Sequence, residues 1–369
     1  MFQLTVVATA RHDNHGENFL YRMQHFVDGF IEQCKRHDLS AELIIVEWNP
    51  PDETQPLYQA LKFPEDKGPC TVRFIRVPKE VHAKFQHSDK LPLFQMIAKN
   101  VGIRRAQGKF ILATNIDIIF SDRLICYLRD KLSKNRLYRV DRLDVPSQLP
   151  HTSLKEILDF CHQNYFRING KYGTRVKIDG KWSKKKNDLN FNCPNIARLK
   201  KISKQTPLKA LKFILSRAHP LFQAGLFLAK KNFKKIYQRL FHKVHTNACG
   251  DFTLLSATDW SKLQGYPELE MYSWHIDSVL LYQAKQAKIK EVDLPRSYPI
   301  YHIEHSLGSG YTHETSHALF DRLTKKGIPH LTDSDLNQIS IQARNQKTPL
   351  RFNSENWGLA HLNLEEVKL

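Results

Sequence analysis

A short polar segment, Asn115-Ile116-Asp117, follows directly on the apolar run Phe110–Thr114. Because alternate residues at a strand end point the same way, Asn115 and Asp117 can face one ligand together. Oxygen ligands at such a position suit a hard divalent cation, Mg²⁺ or Mn²⁺, and such a cation can neutralise a diphosphate. An isolated Asn-x-Asp is also an ordinary turn sequence. The segment therefore predicts a metal site only where its surroundings support one.

A second candidate metal site is His313-Glu314-Thr315-Ser316-His317, which has the His-Glu-x-x-His pattern of zinc metalloproteases. On a helix its two histidines would share one face. The motif follows Gly308-Ser309-Gly310 and Thr312, an order typical of an exposed, capped helix start rather than the buried middle of a helix. A polar helix start is the favoured interpretation, and a zinc metalloprotease is a minor alternative.

Apolar runs alternate with helical patterns in the first third of the chain. The strands and helices that they predict must position Asn115 and Asp117. Helices are predicted where apolar residues recur at spacings of three and four, from Phe19 to Ile31 and from Leu93 to Ala106. The strands are predicted at Leu4–Ala8, Leu43–Val46, Val72–Val77 and Phe110–Thr114. The alternation predicts an α/β fold with a mainly parallel, Rossmann-type sheet covered by helices on both faces.

Ligands of such sheets bind beyond the carboxyl ends of the strands. Polar residues follow three of the predicted strands, at Thr9–Asp13, Glu47–Asn49 and Asn115–Asp117. In the second half, a strand at Phe252–Ser256 precedes a helix that ends near Gly265 and another from Ile276 to Lys288. These segments are the candidate places for bound ligands and catalytic groups.

The formal net charge of +19 is concentrated in one segment. Arg167–His245 contains 21 Lys and Arg against two acidic residues, so the rest of the chain is neutral. Within it, an apolar helical stripe runs from Phe222 to Val244 between lysines and arginines. The pattern predicts a basic helical insertion, and residues 205–244 favour contact with an anionic membrane surface. A helical arm packed on the body is the alternative, and nucleic-acid binding is disfavoured because no recognised signature is present.

The order of motifs resembles a known family. The helix Asn100–Gly108 leading into a strand that ends in Asn115-Ile116-Asp117 resembles the nucleotide-sugar half of GT-A glycosyltransferases. Four later segments resemble the galactosyltransferase-type C-terminal signature: Gly250–Ser256, Asp259-Trp260, Gly265–Glu268 and Trp274–Asp277. The resemblance covers about residues 4–145 and 246–310. It implies a nucleotide-sugar-binding half at 1–145, a basic, partly helical insertion at 146–245, an acceptor half at 246–310 and a helical tail at 311–369.

The resemblance also implies a donor site. Asp117 matches the second acid of the Asp-x-Asp motif, which touches metal and diphosphate, and Asn115 replaces the first. His302 or His305 looks like the C-terminal histidine that completes the metal shell. The remaining predicted donor-binding residues are Thr9, Arg11, Asp13, Glu47, Asn100 and Arg104. For Glu47 the alternative is an acid that caps a neighbouring segment, and for Arg104 a solvated helix residue.

Asp277 matches the catalytic base of inverting members, against the alternative of a helix cap. Asp251 and Glu268 are the substitutes for this role. Asp251 is also expected to bind donor-sugar hydroxyls, against the alternative of a structural strand-edge residue. The chain is therefore expected to transfer a sugar from a nucleotide-diphosphate sugar to a hydroxyl acceptor, with Mn²⁺ or Mg²⁺ and with inversion at the anomeric carbon. The alternative is a non-catalytic GT-A-like protein that binds nucleotide sugar or glycan.

The sequence carries signals for location. Six scattered cysteines without a Cys-x-x-Cys pair indicate reduced thiols. The first residues lack a basic region and an apolar run long enough for a signal peptide, and no stretch reaches about 18 apolar residues. We expect a cytoplasmic protein at the inner membrane face, with a glycan or lipid-linked glycan as acceptor.

Overall fold

The computed structural model describes residues 2–14, 16–184, 244–305, 316–346 and 348–369. Residues 1–186 and 245–369 belong to one compact unit, and residues 187–244 to a second, of which only Val244 is described.

Fourteen strands are formed by the described residues. They are β1 Leu4–Ala10, β2 Ala41–Trp48, β3 Cys70–Val77, β4 Phe110–Thr114, β5 Ile118–Phe120, β6 Arg136–Arg139, β7 Arg142–Val145, β8 Arg167–Gly170, β9 Gly173–Ile178, β10 Lys181–Lys184, β11 Phe252–Ser256, β12 Lys290–Asp293, β13 Ile300–Ile303 and β14 Glu365–Lys368.

The helices of the same residues number ten. They are α1 Phe19–His37, α2 Leu57–Ala60, α3 Lys79–His82, α4 Gln95–Arg105, α5 Asp122–Asp130, α6 Leu154–Asn164, α7 Ala257–Leu263, α8 Ile276–Gln286, α9 Ser316–Lys325 and α10 Asp333–Asn345, with a 3₁₀ turn at Trp357–Leu359.

The larger sheet contains the four strands predicted in the first third. Its described strands have the order β12-β6-β11-β4-β1-β2-β3-β14. The central strands β4, β1, β2 and β3 are parallel, and β1, β2 and β4 are buried along their whole length. Burial on both faces explains their continuous apolar sequences. The α/β class and the parallel centre are thus confirmed, whereas the antiparallel β11 and β14 make the complete sheet mixed.

A second sheet, not anticipated from the sequence, has the order β10-β9-β8-β7-β13-β5 among the described strands. Its β13 is antiparallel to β5 and parallel to β7. The two sheets meet in the chain at Asn115–Asp117, because β4 belongs to the larger sheet and β5 to the smaller one. The predicted polar segment is therefore the crossing point between two sheets.

Two predicted features lie largely outside the described residues. The basic amphipathic stripe falls there apart from Val244, and so does His313-Glu314-Thr315. Helix α9 begins at Ser316. None of the helices in the described ranges combines the length and apolar character that crossing a membrane requires.

Candidate functional site

Three predicted metal ligands lie together at the carboxyl end of β4. Asp117 is in the turn between β4 and β5, His302 is on β13, and His305 follows β13. Oδ2 of Asp117 lies 3.2 Å from Nε2 of His305 and 3.7 Å from Nε2 of His302. The backbone N–H of Ile303 donates to the Asp117 carbonyl at 3.0 Å, which fixes this turn against β13. One potential ligand atom from each of the three residues lies within 4.8 Å of the others.

The chemistry of this group fits a divalent cation. Asp117 Oδ1 is buried and has no hydrogen-bond partner among the described residues. Ligand atoms about 2.1 Å from one ion at right angles are about 3 Å apart, close to the separations found here. Two imidazoles with one carboxylate favour a transition-metal ion such as Mn²⁺ over Mg²⁺, which prefers oxygen ligands. His302 Nδ1 lies 3.6 Å from the buried carboxylate of Asp144, which is beyond hydrogen-bond distance.

The ionisation of the group also suits metal binding. Burial raises the pKa of Asp117, but His302, His305 and Arg22 outweigh this effect and hold the pKa below its usual range. Burial lowers the pKa of His302, and the nearby charge of Arg142 lowers it further. An ionised carboxylate and a neutral imidazole are the forms that bind metal ions.

The loop between β1 and α1 packs against this group and has an unusual backbone conformation. Asn14, Gly16, Glu17 and Asn18 all have positive φ, between 46° and 76°. A Cβ on Gly16 would lie 2.8 Å from Nδ1 of His305 and 2.9 Å from an Arg22 terminal nitrogen. Gly16 thus meets two needs at once, a left-handed backbone and room for two side chains.

Asn115 faces a different set of partners from Asp117. Its side-chain oxygen accepts hydrogen bonds from Lys99 Nζ at 2.8 Å and Gln95 at 3.0 Å. Its amide nitrogen donates to Asp251 Oδ1 at 2.5 Å. Strand β4 ends at Thr114, so the alternation that would bring Asn115 and Asp117 to one ligand does not continue through the turn. The described contacts make Asn115 a neutral link between a lysine and an aspartate.

The predicted catalytic carboxylates lie around Gly250, beside Lys99. The Lys99 ammonium donates to the Gly250 carbonyl at 2.7 Å. Burial lowers the pKa of Lys99 to about 8, against the opposing influence of Asp251, Asp277 and Asp117. Lys99 thus joins the Asn115 side chain to the Gly250 backbone through two hydrogen bonds.

Asp277 is half-buried in the first turn of α8. Its Oδ1 accepts a hydrogen bond of 2.7 Å from the backbone of Ser278. A Cβ on Gly250 would lie 3.1 Å from its Oδ2, so the carboxylate packs closely against the Gly250 backbone. This placement leaves both interpretations of Asp277, base and helix cap, with a structural basis.

An ion-pair network supports Asp251. Arg142 contacts Asp251 at 2.6 Å and Asp144 at 2.8 Å, and Arg167 contacts Asp144 at 2.8 Å. Asp144, His302 and Glu304 also have potential ligand atoms close together. Two guanidinium groups already neutralise Asp144, so this second group is less suited to a cation than the first.

The other predicted donor-binding residues are placed as follows. Thr9 donates to the Val46 carbonyl, and Asn100 bonds the backbone of Tyr266 and the Glu268 carboxylate. Arg104 stacks on Trp357. Their described contacts are within the fold.

Glu47 is buried and accepts hydrogen bonds from the Leu57 backbone and from Arg76, as its structural alternative expects. Arg11 pairs with Asp13 at 2.5 Å, and both are about one-fifth exposed at the carboxyl end of β1. Both side chains are therefore partly open to solvent at the edge of the sheet where ligands are expected.

Sequence reasoning missed Arg22, Lys99, Arg142 and Asp144. Lys99 and Asn100 interrupt the apolar pattern of α4. Polar residues between buried apolar neighbours were the one sequence feature that could have pointed to Lys99. Arg22 is adjacent to Met23 on the apolar side of α1, where the spacing alone gives no distinction from a surface arginine.

No protein-family model matches the chain, and no curated protein matches it in sequence. Solved structures similar to it include GalNAc-T7 with UDP, GalNAc and Mn²⁺, with TM-score 0.42, 10% identity, and coverage of 93% of this chain and 55% of that one. TarS of S. aureus has TM-score 0.39 and 10% identity over 93% of this chain and 43% of that one. The mannosyltransferase PcManGT of Pyrobaculum calidifontis, in complex with GDP-Man and Mn²⁺, has TM-score 0.39 and 10% identity over 94% and 71%.

The chain spans about half the length of the first two of these structures. At these identities and TM-scores the similarity concerns the general fold, and the activity has to be argued from the residues of this chain. These three solved structures are GT-A glycosyltransferases, the family that the motifs of this chain resemble.

Proposed function

We propose that the protein is a glycosyltransferase that moves a sugar from a nucleotide-diphosphate sugar to a hydroxyl acceptor, with inversion at the anomeric carbon and a requirement for Mn²⁺. The observation that carries this proposal is the group Asp117, His302 and His305 at the carboxyl end of a parallel strand, with one buried carboxylate oxygen unpartnered in the described residues. Ligands of open α/β sheets bind at this edge. The motif order of the sequence supplies the choice of nucleotide sugar.

Asp117, His302 and His305 would hold the metal. When bound, the cation would neutralise the diphosphate and make it a better leaving group. Arg11 and Asp13, at the end of the neighbouring β1, have open positions suited to the nucleoside. Arg22, with its buried guanidinium beside Asp117, brings a fixed positive charge to the diphosphate side of the site.

Asp277 is proposed as the base. Its Oδ2 would take the proton of the acceptor hydroxyl while the hydroxyl oxygen attacks the anomeric carbon, and the bond from that carbon to the diphosphate breaks on the opposite face. Displacement from the opposite face inverts the configuration. Lys99 and the Gly250 backbone keep Asp277 and Asp251 in place around the attacking group.

The experiment is donor turnover with UDP-sugars and GDP-sugars, with Mn²⁺ or with EDTA, followed as release of nucleoside diphosphate. Asp117→Asn is expected to lose both Mn²⁺ binding and turnover. Asp277→Asn is expected to keep nucleotide binding and to lose acceptor-dependent transfer by a factor of about 10²–10⁴. Asp52→Asn changes an exposed carboxylate and serves as the control.

Two results would contradict the proposal. Full transfer by Asp277→Asn would exclude it as the base. Nucleotide binding is read as a rise in thermal stability, about 2.7 kcal/mol at 100 times the dissociation constant. The absence of any rise with every donor would contradict the nucleotide-sugar site itself.

For the acceptor we propose a glycan or a lipid-linked glycan at an anionic membrane surface. The support is the apolar stripe with flanking cations in residues 205–244 of the sequence. Flotation with anionic vesicles tests it, using the wild type and a variant with Phe233→Glu and Leu240→Glu. Unchanged binding of the variant would exclude the stripe as the contact.

A further inference from the structure

Arg22 is a buried cation at the metal-binding group, and the proposed function gives it only a general electrostatic role. Arg22 is 3% exposed, and one terminal nitrogen of its guanidinium donates to Asp117 Oδ2 at 3.1 Å. Burial lowers the pKa of Arg22, although Asp117 opposes the shift. Arginine remains protonated in proteins at neutral pH, so this is a full positive charge held in the interior.

The arginine contacts the same oxygen that the two histidines face. Oδ2 of Asp117 lies within 3.7 Å of Arg22, His302 and His305, whereas Oδ1 is unpartnered among the described residues. A cation bound by the histidines and Asp117 would therefore lie next to the guanidinium. Two positive groups at this distance in a buried site repel each other strongly.

The other donors of Arg22 are held by a loop with an unusual conformation. Its Nε and second terminal nitrogen donate to the Glu17 carbonyl at 3.3 and 3.2 Å. Glu17 and its neighbour Asn18 have positive φ. This loop follows the carboxyl end of β1, which is where the diphosphate of a nucleotide is expected at such a sheet.

We propose that Arg22 is the counter-charge of Asp117 in the metal-free site and contacts the diphosphate of the nucleotide once a divalent cation binds Asp117. The inference rests on the proposed function and adds a positioning residue to it. Asp117 with Arg22 is neutral, and a divalent cation alone would leave an excess positive charge. A nucleoside diphosphate removes that excess and gives the guanidinium a bidentate partner. Cation and nucleotide therefore bind cooperatively, each raising the affinity of the other by the same factor.

The test measures Mn²⁺ binding from the spin resonance signal of the free ion, with and without UDP or GDP, after correction for Mn²⁺ bound by the nucleotide in solution. Arg22→Met removes the charge and keeps much of the side-chain stem. Arg22→Gln keeps a donor toward Asp117, and Arg22→Lys keeps the charge. Arg36→Met is the control, because it removes a cation near the other end of the same helix, about 20 Å away at 1.5 Å per residue. Circular dichroism checks that each variant is folded.

We expect either nucleotide to tighten Mn²⁺ binding by the wild type at least tenfold. In Arg22→Met and Arg22→Gln, Mn²⁺ alone should bind at least tenfold more tightly than to the wild type, and the nucleotide should add less. Arg22→Lys should bind Mn²⁺ alone as the wild type does but should gain less from the nucleotide, because an ammonium group is a point charge and not a bidentate donor. Arg36→Met should behave like the wild type in both measurements.

The inference is overturned if both neutral variants bind Mn²⁺ no more tightly than the wild type. If Asp117→Asn abolishes Mn²⁺ binding in that case, the metal site stands and only the role of Arg22 is wrong. If the wild type binds no Mn²⁺ with or without nucleotide, the metal site fails and the inference fails with it.

Discussion

The ammonium group of Lys99 donates a 2.8 Å hydrogen bond to the side-chain oxygen of Asn115. By the sequence resemblance, Asn115 stands where an Asp-x-Asp motif has its first acid, and its amide nitrogen in turn donates to Asp251. An amide can accept from a lysine and donate to a carboxylate, whereas a carboxylate can only accept. The departure from the family pattern therefore has a local chemical reason.

Asn115→Asp should not restore a metal ligand but should weaken the fold. The new carboxylate would lose the donor toward Asp251 and repel it, while Lys99 is already bonded to this side chain in the wild type. We expect a loss of about 1–3 kcal/mol in the free energy of unfolding at neutral pH. Urea unfolding measures it, with Asn356→Asp, at an exposed position, as the control. Equal or greater stability of Asn115→Asp would contradict the assigned hydrogen bonds.

Gly250→Ala should impair the position of Asp277 more than the stability of the fold. The added Cβ would lie 3.1 Å from Asp277 Oδ2, and a catalytic group displaced by a fraction of an ångström loses much of its effect. We expect transfer to fall at least about tenfold, with little change in nucleotide affinity. Gly29→Ala, where the nearest atom is at an ordinary 3.6 Å, is the matched control. Unchanged transfer in Gly250→Ala would argue against Asp277 as the base.

Lys99 should make stability depend on pH in the alkaline range. Its folded pKa of about 8 lies below the usual value of 10.5, so between these values the unfolded chain binds more protons and stability rises with pH. Lys99→Met removes this titration. The stability of the wild type relative to Lys99→Met should therefore rise by roughly 3 kcal/mol from below pH 8 to above pH 10.5. Urea unfolding of both proteins at several pH values gives this difference, and a constant difference would contradict it.

The two ion pairs of Arg73 should differ greatly in their contribution to the free energy of unfolding. Arg73 pairs with the fully buried Glu42 and, on β14, with the partly exposed Glu366. Arg73→Met leaves the Glu42 carboxylate buried without its cation, which should cost about 3–5 kcal/mol. Glu366→Gln should cost less than about 1 kcal/mol. Similar effects of the two substitutions on thermal unfolding would show that Glu42 has other compensation, for example from Thr5, which already donates to it.

The sequence predicted the strands that are buried along almost their whole length. Strands β1 to β4 are almost entirely buried, and their apolar runs could be recognised without any knowledge of their neighbours. The second sheet could not, because its strands are short and include charged residues. In β7, for example, Arg142 and Asp144 alternate with Leu143 and Val145.

The site shows the same division. Asp117 was predicted from its motif, and His302 or His305 from the family resemblance; the structure places all three close together, and their metal-binding role stays a prediction. Arg22 and Lys99 were missed because a charged residue in an amphipathic helix normally faces water, and only the three-dimensional arrangement shows that these two face the interior. The nucleoside-binding role of Arg11 and Asp13 stays a prediction.

The chain passes from one sheet to the other at the candidate site, so the site depends on how the strands are aligned. Asp117 lies where β4 leads to β5, and His302 reaches it only because β13 pairs with β5 and β7 in one register. Neighbouring residues of a strand point to opposite faces, so a slip of one residue in β13 would direct Tyr301 or Ile303 toward Asp117 and turn the imidazole away. The identity of the ligands and the alignment of β13 therefore have to be maintained together, and an insertion or deletion of one residue within this strand would be as damaging as replacement of the histidine.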